Sequence, residues 1–243
     1  MSTGSVQTYA RIGGALILVS IVVGGFGEGV APSLLVVAGD AAATAHNVVS
    51  SDLLLRAGFA AYLVEALCDV ALTAVFYLLL RPVSMALALF AVLFRLMATA
   101  TFAFAEVFYF APSVILKGDS YLRAFTADQL NSLALLSFNV SDVGGDMSLS
   151  FYGLGSVLLG YLMFRSGYVP RFVGAAFAFG GLCFIARTFA WVLIPAVPTA
   201  ILQLPMILAL LVLAVWFLAR GVDASRWEAL IPTSPAPAGR QSA

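Results

Sequence analysis

Six uninterrupted apolar runs, each long enough to cross a bilayer, constrain this chain more than any other feature. They lie at about residues 11–30, 53–80, 84–110, 143–164, 172–194 and 199–219, and a helix crossing the hydrocarbon core needs about 20 such residues. The runs are continuous and do not alternate polar with apolar, which fits helices and not the strands of a barrel. The predicted fold class is all-α: a polytopic membrane helix bundle of about six transmembrane helices, both termini cytoplasmic. The chain is 62% hydrophobic and 10% charged, whereas a soluble domain carries about 25% charged residues. A surplus of this size has to be covered by lipid. Net charge is zero, which leaves no basic surface for nucleic acid.

The first run reads as an uncleaved helix. The small-residue pair Ala41 and Ala43 lies well past its end, and Glu28 intervenes. Residues 1–220 are expected to form the transmembrane domain and residues 221–243 a cytoplasmic, largely disordered tail, rich in Pro, Ala and Ser from Pro232. Two connections are long, at residues 31–52 and 111–142. In the second, Thr126 is followed by Asp128 and Gln129 at the start of an apolar stretch, as at a helix N-terminus. A short amphipathic helix at the interface is expected over residues 127–138. A single helix from Asp128 to Phe164 would measure about 55 Å, too long to span, and Gly144-Gly145 offers a break. The remaining connections are short, at Arg81-Pro82, residues 165–171 and residues 195–198.

Orientation follows from basic residues. Arg11, Arg81, Arg165, Arg171, Arg220, Arg226 and Arg240 share one side if both termini do, while the other side has Lys117 and Arg123, with Arg56 near its edge. The first side is therefore expected to be cytoplasmic. Only Asp223 and Glu228 among the acids fall there, so the outer half is markedly acidic.

Charges within the apolar runs are the features that demand a reason, since each costs about 2.5–3.5 kcal/mol at a helix centre on insertion scales. They are Glu65 and Asp69 on the second helix, Arg95 and Glu106 on the third, and Arg187 on the fifth; Glu28 ends the first, and Asp142 and Asp146 begin the fourth. Four-residue spacing puts Glu65 with Asp69, and Asp142 with Asp146, on common faces. Arg95, Thr99, Phe102 and Glu106 follow one helical stripe. Glu65 lies about 18 Å from the outer end of the second helix and Arg95 about 16 Å from the inner end of the third. The short turn between these helices makes them antiparallel neighbours. A Glu65–Arg95 ion pair near the midplane is expected, with Asp69 as a second partner, and Arg187 is expected further out, nearer Glu106 and Asp146. Six carboxylates face three arginines when Arg56 is counted, so some acid is left unpaired and able to carry a proton.

The rest is less informative. Cys68 and Cys183 lie in apolar runs with no metal-ligand spacing, and His46 is the single histidine; no metal or cofactor is expected. The aromatic end of the third helix, with Phe102, Phe104, Phe108, Tyr109 and Phe110, reads as lipid-facing and interfacial. Gly25 and Gly29 form a small-xxx-small pair that predicts close helix packing. Ser148 and Ser150 lack a histidine base in the membrane, which argues against a serine hydrolase.

The order of short motifs along the chain is specific. It includes Ala42-Ala43-Thr44-Ala45, Leu55-Arg56-Ala57-Gly58-Phe59, Leu80-Arg81-Pro82-Val83, Phe94-Arg95-Leu96 and the segment from Gly160 through Arg165 to Pro170. In these the chain resembles a bacterial membrane family known as a domain of unknown function, number forty-three eighty-six, over about residues 9–220. The resemblance implies the six-helix layout and a place in a bacterial cytoplasmic membrane, and it carries no activity or site residue.

From the residues themselves, the leading expectation is a cavity open to the outside that binds or transports a small solute, with Glu65 and Asp69 as proton or cation carriers, Arg95 as counter-ion and Arg187 as an anchor for an anionic group. Glu106 and Asp146 complete the candidate site. One alternative is an intramembrane enzyme acting on a lipid or prenyl substrate by acid catalysis from Glu65 or Asp69. Another is an accessory subunit whose polar pairs only lock the bundle. Membrane lipids and a small-molecule or lipid ligand are the expected partners.

Overall fold

The computed structural model describes residues 3–231 apart from 195 and 197. Six helices are long and apolar enough to span a membrane. The first is α1 (Thr3–Gly24), which continues through a π-helical turn (Gly25–Val30) into α2 (Ala31–Leu35). After α3 (Ala41–Ser50) come α4 (Asp52–Leu80) and α5 (Met85–Phe110), then the single turn α6 (Pro112–Ile115). The other spans are α7 (Ala127–Ser166), α8 (Arg171–Leu193) and α9 (Leu204–Ala219), and α10 (Ala224–Ala229) follows. There is no strand among the described residues.

The six spans form a closed ring in chain order: α1 packs on α4, α4 on α5, α5 on α7, α7 on α8, α8 on α9, and α9 returns to α1. Short turns between consecutive spans make neighbours in sequence neighbours in space. In the half of the ring nearest the termini the centre is filled by one apolar core that includes Ile17, Phe76, Leu79, Leu159, Met163, Phe177 and Phe217. At the other end a smaller cluster of Leu35, Val48, Leu55, Tyr62, Tyr109 and Phe138 ties α2 and α3 to α4, α5 and α7.

Helix α7 corrects the expected break. It runs unbroken for 40 residues, about 60 Å at the standard rise and about twice the hydrocarbon thickness. Thr126 and Gln129 start it with a reciprocal capping box, so residues 127–138 are its first turns and not a separate interfacial helix. Gly144 does not break it, because a Cβ there would meet the Cβ of Ala105 at 2.5 Å. The residue is small to let α5 approach. A helix interior tolerates such a glycine at about 1 kcal/mol relative to Ala, whereas opening the backbone ladder in an apolar setting costs more. The excess length is absorbed at the end remote from the termini, where α3 and α6 pack against α7. At its other end Gly167 takes φ of +72°, the left-handed cap that glycine adopts without a Cβ clash.

The α7–α8 interface is built on glycine. A Cβ on Gly160 would lie 2.6 Å from the Gly174 carbonyl oxygen, and one on Gly174 would lie 2.6 Å from that of Gly160. Gly153 and Gly181 are matched in the same way. By contrast Gly25 and Gly29, expected to pack helices, have nothing within 4 Å of a Cβ. They sit in the π-helical turn, and Gly27 between them is the one that meets α4, at Gly58 and Ala61.

Polar brackets close the terminal end. The Leu79 carbonyl, freed by the end of α4, accepts from the Tyr168 hydroxyl at 2.6 Å and from Trp227 Nε1 at 2.9 Å. Gln7 Nε2 donates to the Val222 carbonyl at 2.6 Å. Burial pushes the Tyr168 phenol above its usual pKa range, which keeps it a donor. Residues 221–231 are thus folded, with Trp227 buried; the tail from Pro232, expected to be disordered, lies outside the described residues. Replacing Trp227 by Phe is expected to lower stability by only about 1 kcal/mol, because Tyr168 still satisfies the carbonyl. Thermal melting of the purified chain checks this, and a loss of several kcal/mol would contradict it.

Candidate functional site

The half of the ring remote from the termini encloses a cavity of about 930 Å³. Its walls come from the last turns of α1 and the π-helical turn (Gly24, Glu28), the middle of α4 (Tyr62, Glu65, Asp69) and the second half of α5 (Thr99, Phe102, Glu106). The middle of α7 (Asp142, Asp146, Tyr152), the end of α8 (Phe184, Arg187, Trp191), Gln203 just before α9 and Ile207 in its first turn complete it. The ring topology explains why these residues converge: alternate spans run in opposite directions, so their remote halves carry alternately the end and the start of a helix.

Arg95 sits beneath the floor. It is wholly buried, its Nη2 donates to Asp69 Oδ1 at 2.9 Å, and its Cζ lies 3.6 Å from the centroid of the Tyr152 ring. Gly155 makes room for it, since a Cβ there would come within 3.0 Å of Arg95 Cγ. The expected Glu65–Arg95 pair is therefore corrected to Asp69–Arg95. The hairpin turn sets this register. Asp69 precedes the end of α4 at Leu80 by about three turns, and Arg95 follows the start of α5 at Met85 by about three turns, so the two lie level. Glu65 is one turn further from the termini. Depths taken from the shared turn, instead of from the outer end of one helix and the inner end of the other, identify the right carboxylate.

Arg187 is further from the terminal end, as expected, and its Nη1 pairs with Asp146 on α7. The Thr188 hydroxyl donates to the Asp146 main-chain carbonyl at 2.9 Å, so α8 grips α7 at one residue by both charge and backbone. Arg56 plays no part in the cavity. It pairs with Asp52 at 2.6 Å on an exposed face.

Two ion pairs thus account for Asp69 and Asp146. Glu28, Glu65, Glu106 and Asp142 also line the cavity and form no ion pair or hydrogen bond. Glu28 and Asp142 are exposed, Glu65 is half-buried and Glu106 is buried. Oxygens Oε2 of Glu65 and of Glu106 are buried without a hydrogen-bond partner. Glu28 is near enough to both glutamates to interact with each electrostatically, and to Arg187 as well, so the acids of α4, α5 and the π-helical turn form one linked cluster. Among the described residues no three His, Cys, Asp or Glu side chains stand close enough to hold a metal ion.

Several site features were less visible in sequence. The Glu65 carboxylate lies against the α1 backbone, where a Cβ on Gly24 would meet its oxygens at 2.7 and 2.8 Å; Gly24 is the space it occupies. Glu28 is presented by a π-helical turn, a distortion common at functional sites, and the run Gly24-Gly25-Phe26-Gly27-Glu28-Gly29 was its signal. Aromatic residues divide between roles. Phe104 is exposed on the lipid-facing side, as expected, but Phe102 lines the cavity and Tyr109 is buried in the small remote cluster.

The family model described as Domain of unknown function (DUF4386) matches residues 12–221, so the chain belongs to that family. No curated protein and no solved structure matches the chain.

Proposed function

We propose, for this member of the family, a multi-pass protein of the bacterial cytoplasmic membrane that binds a small solute from the outer face and transports it, with protons carried by Glu65 and Glu106. The single observation behind this reading is the asymmetry of the ring. A carboxylate-lined cavity fills the half remote from the termini, and a solid apolar core fills the other, as in a solute site accessible from one side. Orientation rests on Arg11, Arg81, Arg165, Arg171, Arg220 and Arg226, which all lie at the terminal end; on the positive-inside rule that end is cytoplasmic. Asp69 and Arg95, bound to each other, form the floor and position the site. Release to the cytoplasm would require the brackets at Leu79 and Gln7 to open.

A ligand screen by thermal shift tests the reading, since binding to the native state raises apparent stability. Purified wild type is compared with Glu65→Gln across metals, small ions, amines and prenyl lipids. Glu65→Gln is expected to fold normally, because Glu65 has no hydrogen bond to lose, and to abolish the ligand-dependent shift. An undiminished shift in the variant would remove Glu65 from the site. The unpaired Glu65 beside the rings of Tyr62 and Phe102 also suits acid catalysis on a prenyl chain. Turnover of a prenyl lipid, lost in Glu65→Gln, would favour that reading over transport. If no ligand shifts the wild type, the polar pairs only lock the bundle.

A further inference from the structure

Resting on the reading of the cavity as a solute site, we propose that its occupant is an organic cation: a small molecule with a protonated amine or quaternary ammonium group on an apolar frame. Charge is the first reason. The two arginines at the site are each engaged, Arg95 by Asp69 and Arg187 by Asp146. Glu28, Glu65, Glu106 and Asp142 face the cavity with no ion pair of their own, and Arg187, already held by Asp146, acts on Glu28 only at longer range. An anion entering would meet uncompensated carboxylates; a cation neutralises them.

Glu106 supplies a second, separate reason. The residue is only 5% exposed, it lines the cavity, and its Oε2 has no hydrogen-bond donor. A buried carboxylate oxygen without a donor is unfavourable. An ammonium group brings both the donor and the charge, and a charge-assisted hydrogen bond is the stronger kind.

The remaining wall selects an organic cation over a metal ion. No three metal-ligating side chains among the described residues are grouped to hold an ion. A cavity of about 930 Å³ is the size of a small-molecule site. Phe102 and Trp191 line it on α5 and α8, the two helices that flank α7. Aromatic faces attract cations and cover apolar groups. Tyr152 has one such contact already, with Arg95, so the same ring chemistry operates at the floor.

Binding of benzylammonium and tetramethylammonium chlorides to the full chain in detergent tests the proposal. Benzyl alcohol, sodium benzoate and sodium chloride at matched ionic strength serve as comparators. The two organic cations are expected to raise the melting temperature saturably, and the comparators to leave it unchanged. Affinity for the cations is expected to fall about tenfold or more in Glu106→Gln. Glu28→Gln, at an exposed position, is expected to weaken binding in the same direction and covers the case in which the Glu106 variant does not fold. Preferential binding of benzoate or benzyl alcohol, or no binding of either cation, would overturn the cation assignment. If another ligand class then shifted wild type but not Glu65→Gln, the solute-site reading would survive; if no ligand of any class did, both would fall.

Discussion

Replacing Asp69 by Ala is expected to lower the stability of this protein by about 3 kcal/mol or more. That figure is where the lower range for breaking a buried ion pair meets the insertion cost of one guanidinium. Arg95 is wholly buried, and Asp69 is the only acid among the described residues that it hydrogen-bonds; its Nε and Nη1 already lack partners. The Tyr152 face remains after the substitution, but a ring quadrupole does not replace a carboxylate. Removing both charges, as Asp69→Leu with Arg95→Met, is expected to recover most of the loss, since an apolar pair of similar volume is often as stable as a buried ion pair. Thermal melting of the single and double variants in one detergent measures the effect. If Asp69→Ala melted like wild type, Arg95 would have another anionic partner and the described floor of the cavity would be wrong.

The α7–α8 seam is the second sensitive place. A methyl group at Gly160 would stand 2.5 Å from the Ala178 amide nitrogen and 2.6 Å from the Gly174 carbonyl oxygen. These are backbone atoms, which cannot rotate away, so the helices must separate by a few tenths of an ångström or more. A radial gap of 0.5–1 Å already forfeits about a quarter to a half of each dispersion contact, and overpacking of this kind costs about 1–3 kcal/mol. Gly160→Ala and Gly174→Ala are each expected to fall in that range, and Gly160→Leu to prevent assembly. Because the two glycines face one another, the double Ala variant is expected to cost less than the sum of the singles, the first methyl having already opened the seam. Gly25→Ala is the control: open space surrounds that position, so no loss is expected. Equal losses at Gly25 and Gly160 would mean that a backbone requirement, such as the π-helical turn at Gly25, and not contact, sets the effect, since helix propensity alone favours Ala over Gly.

Both predictions concern residues whose type was plain in the sequence and whose partners were not. Arg95 was identifiable as a midplane charge needing an acid, yet Glu65 and Asp69 share one helix face, so face periodicity alone did not choose between them. The hairpin turn at residues 81–84 does choose. The pairs Gly153 with Gly160 and Gly174 with Gly181 recur at seven residues on each helix, a spacing that keeps one face small. Gly25 and Gly29 carry the same kind of signal and turned out to face open space, because the π-helical turn rotates them off the helix contact.

The six spans and the basic bias of one end are determined by the sequence alone. Lipid imposes them residue by residue: each span must be continuously apolar and satisfy its own backbone. The presence of intramembrane charges is likewise local, since each departs from a rule that every neighbouring residue obeys. Tertiary structure decided what those charges do. Helix rotation and register placed Asp69, and not Glu65, level with Arg95. Close approach of α5 kept α7 intact through Gly144. Closure of the ring brought acids from α4, α5, α7 and the π-helical turn to one cavity, and left four of them without an ion pair. These outcomes depend on angles and contacts between helices, to which the composition of any single helix is indifferent.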